Sequence, residues 1–150
     1  MVAPEQFLEQ DEDGLIEGVP IFSEITDEIK VSVQAYFLGE QADSDPHKYV
    51  WAYRVLIEND GDTAVQLVSR HWKITDNRGH TQEIVGKGVV GEQPSIQPDS
   101  SFTYTSGCPL STPSGLMRGS FDVVCETGAL LKVAIPAFSL DCPHDKQILN

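Results

Sequence analysis

Short runs of alternating or β-branched residues, separated by turn signals, constrain the fold of this chain more than any other feature. Over residues 29–35 apolar residues alternate with polar neighbours, the period of two that is typical of a half-buried strand. Residues 49–58 are rich in aromatic and β-branched side chains, which favours a central strand. Similar patterns predict strands over residues 65–76, 80–85, 100–105, 119–125 and 130–135, and loops over 39–48 and 107–115. About seven strands at this spacing, without alternating helices, predict an all-β sandwich of antiparallel strands.

Two β-hairpins can be aligned residue by residue from their chemistry. In the first, residues 77–79 form the loop, with Gly79 in the left-handed conformation. The resulting pairs are Lys73 with Glu83, Trp72 with Ile84, His71 with Val85 and Arg70 with Gly86. In the second, a loop at residues 126–128 sets Val123 opposite Leu131 and Asp122 opposite Lys132. Opposite charges and large apolar side chains thus meet across the strands, each pair contributing about 0.2–1 kcal/mol. The buried parity of the first hairpin's leading strand switches near residues 68–70, which predicts a β-bulge.

The chain of 150 residues is most simply one domain, with an acidic extension over residues 1–26, a sandwich over 27–141 and a tail over 142–150. A short helix is predicted over residues 4–10. The net charge of −13 argues against nucleic acids and anionic membranes as partners, since both bind basic patches. Three widely spaced cysteines, no visible signal peptide and no apolar run long enough for a bilayer predict a cytoplasmic protein without membrane insertion.

A glycine-rich loop follows the first hairpin, and Gly86, Gly88 and Gly91 satisfy the pattern G-x-G-x-x-G. In dinucleotide-binding folds a helix opens at the third glycine, and its N-terminus holds the pyrophosphate. Here Pro94 and Pro98 follow so closely that no helix of useful length can form. The pattern therefore does not indicate a Rossmann fold.

Two interpretations of this glycine loop remain open. In one, the glycines let the backbone approach a ligand, and successive N–H groups form an anion nest to which Arg70 and Lys87 add positive charge. In the other, the glycines only permit positive φ, and Arg70 pins the loop by pairing with Glu92 or Glu83. In both, Arg70, His71 and the loop at residues 86–94 form one surface.

The sequence predicts no catalytic residue, metal or cofactor. Ser69 and His71 share a face of one strand, but no third member of a catalytic constellation can be assigned. The histidines lack the familiar spacings of metal ligands, and they are His47, His71, His80 and His144. The compact group Cys142-x-His144-Asp145 lies in the tail.

Several longer motifs run through the middle of the chain. They are Ser69-Arg70-His71-Trp72, Gln82-Glu83, Gly86-x-Gly88-Val89-Val90-Gly91-Glu92-Gln93-Pro94, Tyr104-Thr105-Ser106-Gly107, Thr112-Pro113-x-Gly115 and Met117-x-Gly119. Together they resemble the signature of the bacterial ApaG family over about residues 28–140. A similar domain ends some eukaryotic F-box proteins. The resemblance implies a fibronectin-type-III-like, immunoglobulin-like sandwich, in agreement with the strand pattern.

The resemblance implies little about molecular activity. The bacterial family is named in connection with cobalt resistance and magnesium efflux, its eukaryotic copies suggest a protein-interaction module, and its glycine motif suggests pyrophosphate or nucleotide binding. We therefore predict a non-enzymatic binding module with an unknown protein partner, a binder of pyrophosphate-containing nucleotides being the alternative. Self-association through sheet edges stays open. The predicted ligand or partner surface comprises Arg70, His71, Gly86, Lys87, Gly88, Gly91 and Glu92. Trp51 and Tyr53 lie on a strand that is apolar on both faces, so they are either buried or part of a partner surface.

Overall fold

The computed structural model describes residues 14–43 and 47–142 of the chain. The helix predicted over residues 4–10 lies outside this range, as do His144 and Asp145 of the tail. Nothing in the described part of the chain forms a helix long and apolar enough to cross a bilayer.

Nine strands make up the described part of the chain. They are β1 (Phe22–Thr26), β2 (Ile29–Gln41), β3 (Lys48–Asn59), β4 (Val65–Asp76), β5 (Thr81–Lys87), β6 (Ser95–Ile96), β7 (Ser100–Leu110), β8 (Ser114–Cys125) and β9 (Leu130–Asp141). One sheet has the order β1-β2-β3-β7 and the other β5-β4-β8-β9, with the short β6 paired to β4. All pairings are antiparallel, so the predicted all-β sandwich is confirmed.

The seven predicted strands correspond to β2–β5 and β7–β9, and the sequence patterns missed β1 and β6. Strand β1 is mostly exposed and β6 has only two residues, so neither contains a run of alternating apolar and polar residues. The predicted loops at 39–48 and 107–115 were too long, because β2 continues to Gln41 while β7 and β8 leave only residues 111–113 between them. Gly39, Gly107, Pro109 and Gly115 lie within these strands rather than ending them.

The registers predicted for both hairpins are confirmed. Arg70 pairs with Gly86 and Trp72 with Ile84 in β4–β5, and Val123 pairs with Leu131 in β8–β9. The register of β4 against β8 shifts between Leu67 and Ser69, which confirms the predicted bulge. The bulge lets Val65 and Leu67 before it and Trp72 and Ile74 after it all face the core.

The turn of the β4–β5 hairpin is held by the carboxylate of Asp76. Its Oδ1 accepts hydrogen bonds from Arg78 N (2.9 Å) and His80 N (3.0 Å). Desolvation raises the pKa of Asp76, but these backbone hydrogen bonds from His80 and Arg78 outweigh it, so the pKa lies below its ordinary value.

The core between the sheets is aromatic at its centre. Trp51 and Trp72 are both fully buried, which settles Trp51 as a core residue and not an exposed partner surface. Trp72 meets Tyr53 edge-on with ring centroids 5.1 Å apart, and Phe138 at 6.0 Å. Edge-to-face packing of this kind adds about 0.5–1.5 kcal/mol per pair beyond the buried area.

Part of the segment predicted as an acidic extension lies on the outer face of the first sheet. The side chain of Gln34 donates to Ile16 O (2.7 Å) and Val19 O (3.0 Å), and accepts from Ile16 N (2.7 Å). Arg54 Nε donates to Gly14 O. Residues 14–19 are therefore a strap fastened to β2 and β3, and β1 continues from it as an edge strand.

The two lateral sides of the sandwich differ. On one side β1 lies beside β9, and Ala134 N donates to Thr26 Oγ1 (3.0 Å). On the other side the edge strands β5 and β7 are not joined in this way, and a pocket opens between them. Of the predicted surface, Arg70 lines this pocket, and Gly86 lies opposite Arg70 on β5.

Candidate functional site

The glycine loop is built onto the bulge of β4. At the bulge the carbonyl oxygen of Val68 accepts hydrogen bonds from Gly88 N (2.8 Å) and from Gln93 Nε2 (2.9 Å). Leu67 N donates to Pro94 O (3.0 Å) at the loop's other end. The bulge thus supplies the backbone groups that tie both ends of the loop to the sheet.

The loop itself is a tight two-residue hairpin. Val89 and Glu92 exchange both of their backbone hydrogen bonds at 2.8 Å. Between them Val90 and Gly91 have φ of 42° and 82°, as a type I′ turn requires. Val89 is fully buried in the core, while Val90 is exposed at the tip. We call residues Val89–Glu92 the glycine hairpin.

Close approach constrains two of the glycines, to different degrees. A Cβ at Gly88 would lie 2.1 Å from Glu92 O, and φ there is +66°. A Cβ at Gly86 would lie 2.7 Å from the Arg70 guanidinium, which extends across this residue. Gly88 is therefore required by the backbone conformation of the loop, whereas Gly86 leaves room for the flexible Arg70 side chain.

Arg70 pins the loop, but through backbone oxygens instead of the predicted carboxylates of Glu92 or Glu83. Its Nη1 donates to Gly88 O (2.8 Å) and Lys87 O (3.2 Å). The loop presents carbonyl oxygens to the cation, and the amides of Gly88, Val89 and Glu92 already donate within the protein. These amides are not directed at a ligand in the way an anion nest needs.

The structure separates Arg70 from His71. Adjacent strand residues point to opposite faces of a sheet. Arg70 shares the inner face with Trp72 and lines the pocket at the open side. His71 lies on the outer face, where its Nε2 is 3.1 Å from Glu83 Oε2.

The remaining predicted residues divide in the same way. Gly86 lies opposite Arg70 on the inner face, and Lys87 ends β5 opposite Ser69. Gly91 and Glu92 are exposed in the glycine hairpin. The predicted residues are thus neighbours on β4, β5 and the loop after β5, but they are divided between the inner and the outer face of the sheet.

Ser69 and His71 make separate hydrogen bonds, and the described residues contain no group of potential metal ligands. Ser69 Oγ donates to Asp122 Oδ2 (2.8 Å), a carboxylate that would have to act as the base, while His71 pairs with Glu83. No group of three or more His, Cys, Asp or Glu side chains in the described ranges could hold a metal ion.

The residues that sequence reasoning missed lie on the inner face, in the pocket between β5 and β7. The pocket has a volume of about 180 Å³. It is lined by Tyr53, Arg70, Trp72, Ile74, Gln82, Ile84, Ser106, Gly107, Cys108, Pro109 and Met117. The alternation of apolar residues in β4 predicted that Trp72 and Ile74 share one face of the strand. Nothing in the sequence indicated that β7 lies beside that face.

Burial shifts the titration of several groups at this pocket. It raises the pKa of the Cys108 thiol to about 11, so the thiol is not a nucleophile at neutral pH. It also raises the pKa of Tyr53, against a hydrogen bond with Ser106 that lowers it. The pKa of the neighbouring Tyr104 is raised by burial and by Tyr53. All three groups are therefore neutral hydrogen-bonding groups at physiological pH.

Fold and site together define a small all-β sandwich with a pinned glycine hairpin and an arginine-lined pocket on its open side. The chain belongs to the ApaG family: the family model described as the ApaG domain matches residues 39–125. This confirms the resemblance seen in the motifs.

Relatives and solved structures agree with that assignment. Protein ApaG of Beijerinckia indica is 50% identical over 130 residues, covering 87% of this chain and all of the relative. Protein ApaG of Agrobacterium fabrum is 49% identical with the same coverage. The crystal structure of an ApaA protein from Bordetella pertussis is similar with a TM-score of 0.70 and 43% identity, covering 83% of this chain and 98% of that one. The X-ray structure of a structural-genomics target has a TM-score of 0.75 and 40% identity, with 78% and 89% covered.

Proposed function

We propose that this chain is a non-enzymatic protein-interaction module of the ApaG family, and that β5 with the glycine hairpin forms its contact surface. The observation that carries the proposal is an edge strand left open beside exposed apolar side chains. Val85 on β5 is 72% exposed, and Val90 at the tip of the glycine hairpin is 54% exposed. An unpaired strand edge with apolar side chains supports the addition of a partner's strand.

The local charge differs from that of the whole chain. Residues 65–94 contain four Lys and Arg (Arg70, Lys73, Arg78, Lys87) against three Asp and Glu (Asp76, Glu83, Glu92). This segment is therefore +1 within a chain of net charge −13. The negative charge of the rest of the chain repels an acidic partner, whereas this segment does not. The difference orients an acidic partner towards β5.

A pull-down from native lysate tests this surface. Val85→Lys places a charge on the exposed edge, the device by which natural proteins block strand addition. We expect the wild type to recover a stoichiometric partner and Val85→Lys to lose it by roughly tenfold or more, as removal of a central interface contact does.

Leu130→Lys is the matched control. Leu130 is 75% exposed at the start of β9, the opposite edge strand of the same sheet, so we expect the same charge there to leave binding unchanged. Absence of any stoichiometric partner of the wild type, or equal loss with both variants, would contradict the proposed surface.

The alternative function is binding of pyrophosphate-containing nucleotides through Gly86, Gly88 and Gly91 with Arg70. Its support is the exposed tip formed by Val90 and Gly91, together with the exposed cation of Lys87 three residues before that tip. Against it stand the internal hydrogen bonds of the loop amides. Any link to cobalt resistance or magnesium efflux is, in this proposal, indirect and passes through the protein partner.

One chemical-shift screen distinguishes these functions. Backbone amides are followed while pyrophosphate, diadenosine tetraphosphate, Mg²⁺ and Co²⁺ are added separately. For an interaction module we expect no saturable shift of the amides of residues 86–91 at millimolar ligand. A saturable shift there with pyrophosphate would establish the alternative, and one with a metal ion would make the metal link direct.

A further inference from the structure

Two buried polar groups at or near the pocket between β5 and β7 have no hydrogen-bond partner in the described part of the chain. Trp72 Nε1 is buried and lacks a hydrogen-bond partner within the described residues, and so does Tyr104 OH. Trp72 lines the pocket, and Tyr104 lies close enough to Tyr53 and Arg70 to interact with both electrostatically. Buried polar groups in folded proteins nearly always have a partner, so unpaired donors beside a pocket indicate a missing acceptor.

The charge of the pocket is also uncompensated. Arg70 is half-buried on the pocket wall, and none of the lining residues is an aspartate or glutamate. The guanidinium has five N–H groups. Only Nη1 forms hydrogen bonds with the described part of the chain, to the carbonyls of Gly88 and Lys87. The rest of this cation can serve an anion, and a planar carboxylate matches its geometry.

Much of the pocket lining is apolar. Ile74, Ile84 and Met117, from the same sheet as Arg70, line the pocket together with the ring of Tyr53 from the other sheet. At about 180 Å³ the pocket is smaller than the roughly 300–1,000 Å³ of drug-sized sites. Its occupant is therefore a compact molecule with an apolar body and one charged end.

We propose that this pocket binds a small organic carboxylate. The carboxylate accepts hydrogen bonds from Arg70 and from the indole N–H of Trp72, with the hydroxyls of Tyr53 and Ser106 as further partners, and its apolar body packs between the sheets. The site lies on the inner face of the sandwich, so it is separate from the amides of the glycine loop and does not depend on the protein-docking function proposed above.

Benzoate is a suitable probe, and benzamide is its uncharged counterpart of the same shape. The readout is the indole N–H resonance of Trp72 in nitrogen–proton correlation spectra. The chain contains two tryptophans, and Trp51 is an internal reference because it lines a different pocket and its Nε1 donates to Asp141 O (3.4 Å). A Trp51→Phe variant assigns the two resonances.

We expect a saturable shift of the Trp72 resonance with benzoate at millimolar concentration and binding of benzamide weaker by roughly tenfold, the loss typical of one charged hydrogen bond. Arg70→Gln is expected to weaken the binding of benzoate by a similar factor. Arg118→Gln is the control, because Arg118 lies on the outer face of the same sandwich and its loss leaves binding unchanged.

Arg70 also pins the glycine loop through Lys87 O and Gly88 O, so a second variant keeps the test independent of that role. Tyr53→Phe removes one pocket hydroxyl and retains the ring, and we expect it to weaken benzoate severalfold with the spectrum otherwise preserved. No shift of Trp72 with benzoate, equal binding of benzamide, or undiminished binding by both Arg70→Gln and Tyr53→Phe would overturn the proposal.

Discussion

Replacement of Gly119 by alanine is expected to lower the free energy of unfolding by about 3 kcal/mol, at the upper end of overpacking effects. Gly119 lies in β8, where it pairs with Trp72 of β4 and Ile135 of β9. An added Cβ would lie 2.2 Å from His71 O and 3.2 Å from Trp72 Cα. Both are backbone atoms of the neighbouring strand, so neither can rotate away and the central strands of the sheet must separate.

Gly107→Ala is the matched control for this change. Gly107 also lies in a strand, and a Cβ there meets only Trp51 O at an ordinary 3.7 Å. We expect its free energy of unfolding to change by less than about 1 kcal/mol. Urea denaturation of both variants measures the difference. Equal stabilities would show that β4 and β8 can accommodate a methyl group at Gly119.

Gln34→Ala is expected to lower the free energy of unfolding by about 3 kcal/mol, because it combines lost hydrogen bonds with a cavity. Gln34 is 0% exposed, and its amide makes three hydrogen bonds to the backbone of Ile16 and Val19. Without that side chain the backbone groups of the strap lose their partners on the outer face of the sheet. Loss of the strap then exposes the buried side chains of Leu15 and Ile16.

The measurement for Gln34→Ala is urea denaturation together with hydrogen exchange of the Ile16 amide. Exchange of this amide is expected to become fast in the variant, because its acceptor is the Gln34 side chain. Gln66→Ala is the control: its amide donates to Gln93 O (3.2 Å) at the surface, and we expect a change within about 0.5 kcal/mol. A strap that stays protected after loss of Gln34 would mean that its other contacts, among them that of Arg54 with Gly14 O, are enough to hold it.

The hairpins show how much could be predicted from the sequence. Charge and size complementarity aligned Lys73 with Glu83 and Trp72 with Ile84, and the structure has the same pairs. The parity switch located the bulge beside Ser69. These features depend on residues close together in the chain, so alternation and turn chemistry were sufficient.

The glycine motif was harder to interpret, since its pattern is shared by unrelated structures. The prolines excluded a dinucleotide fold, but the sequence left open whether the loop presents amides or carbonyls. The structure shows Gly88 N donating to Val68 O while Arg70 meets the carbonyl of Gly88. The same bulge that the parity predicted supplies the acceptor for the loop.

By itself, the sequence determined the sandwich, its seven main strands, the register of two hairpins and membership in the ApaG family. Only the tertiary structure decided that Arg70 lines a pocket while His71 faces outward, that Ser106 of β7 joins that pocket, and that residues 14–19 lie across the first sheet. The physical reason is sequence distance. Strand period and turns are local, whereas the pocket and the strap arise from side chains on separate strands that meet only when the sheets pack.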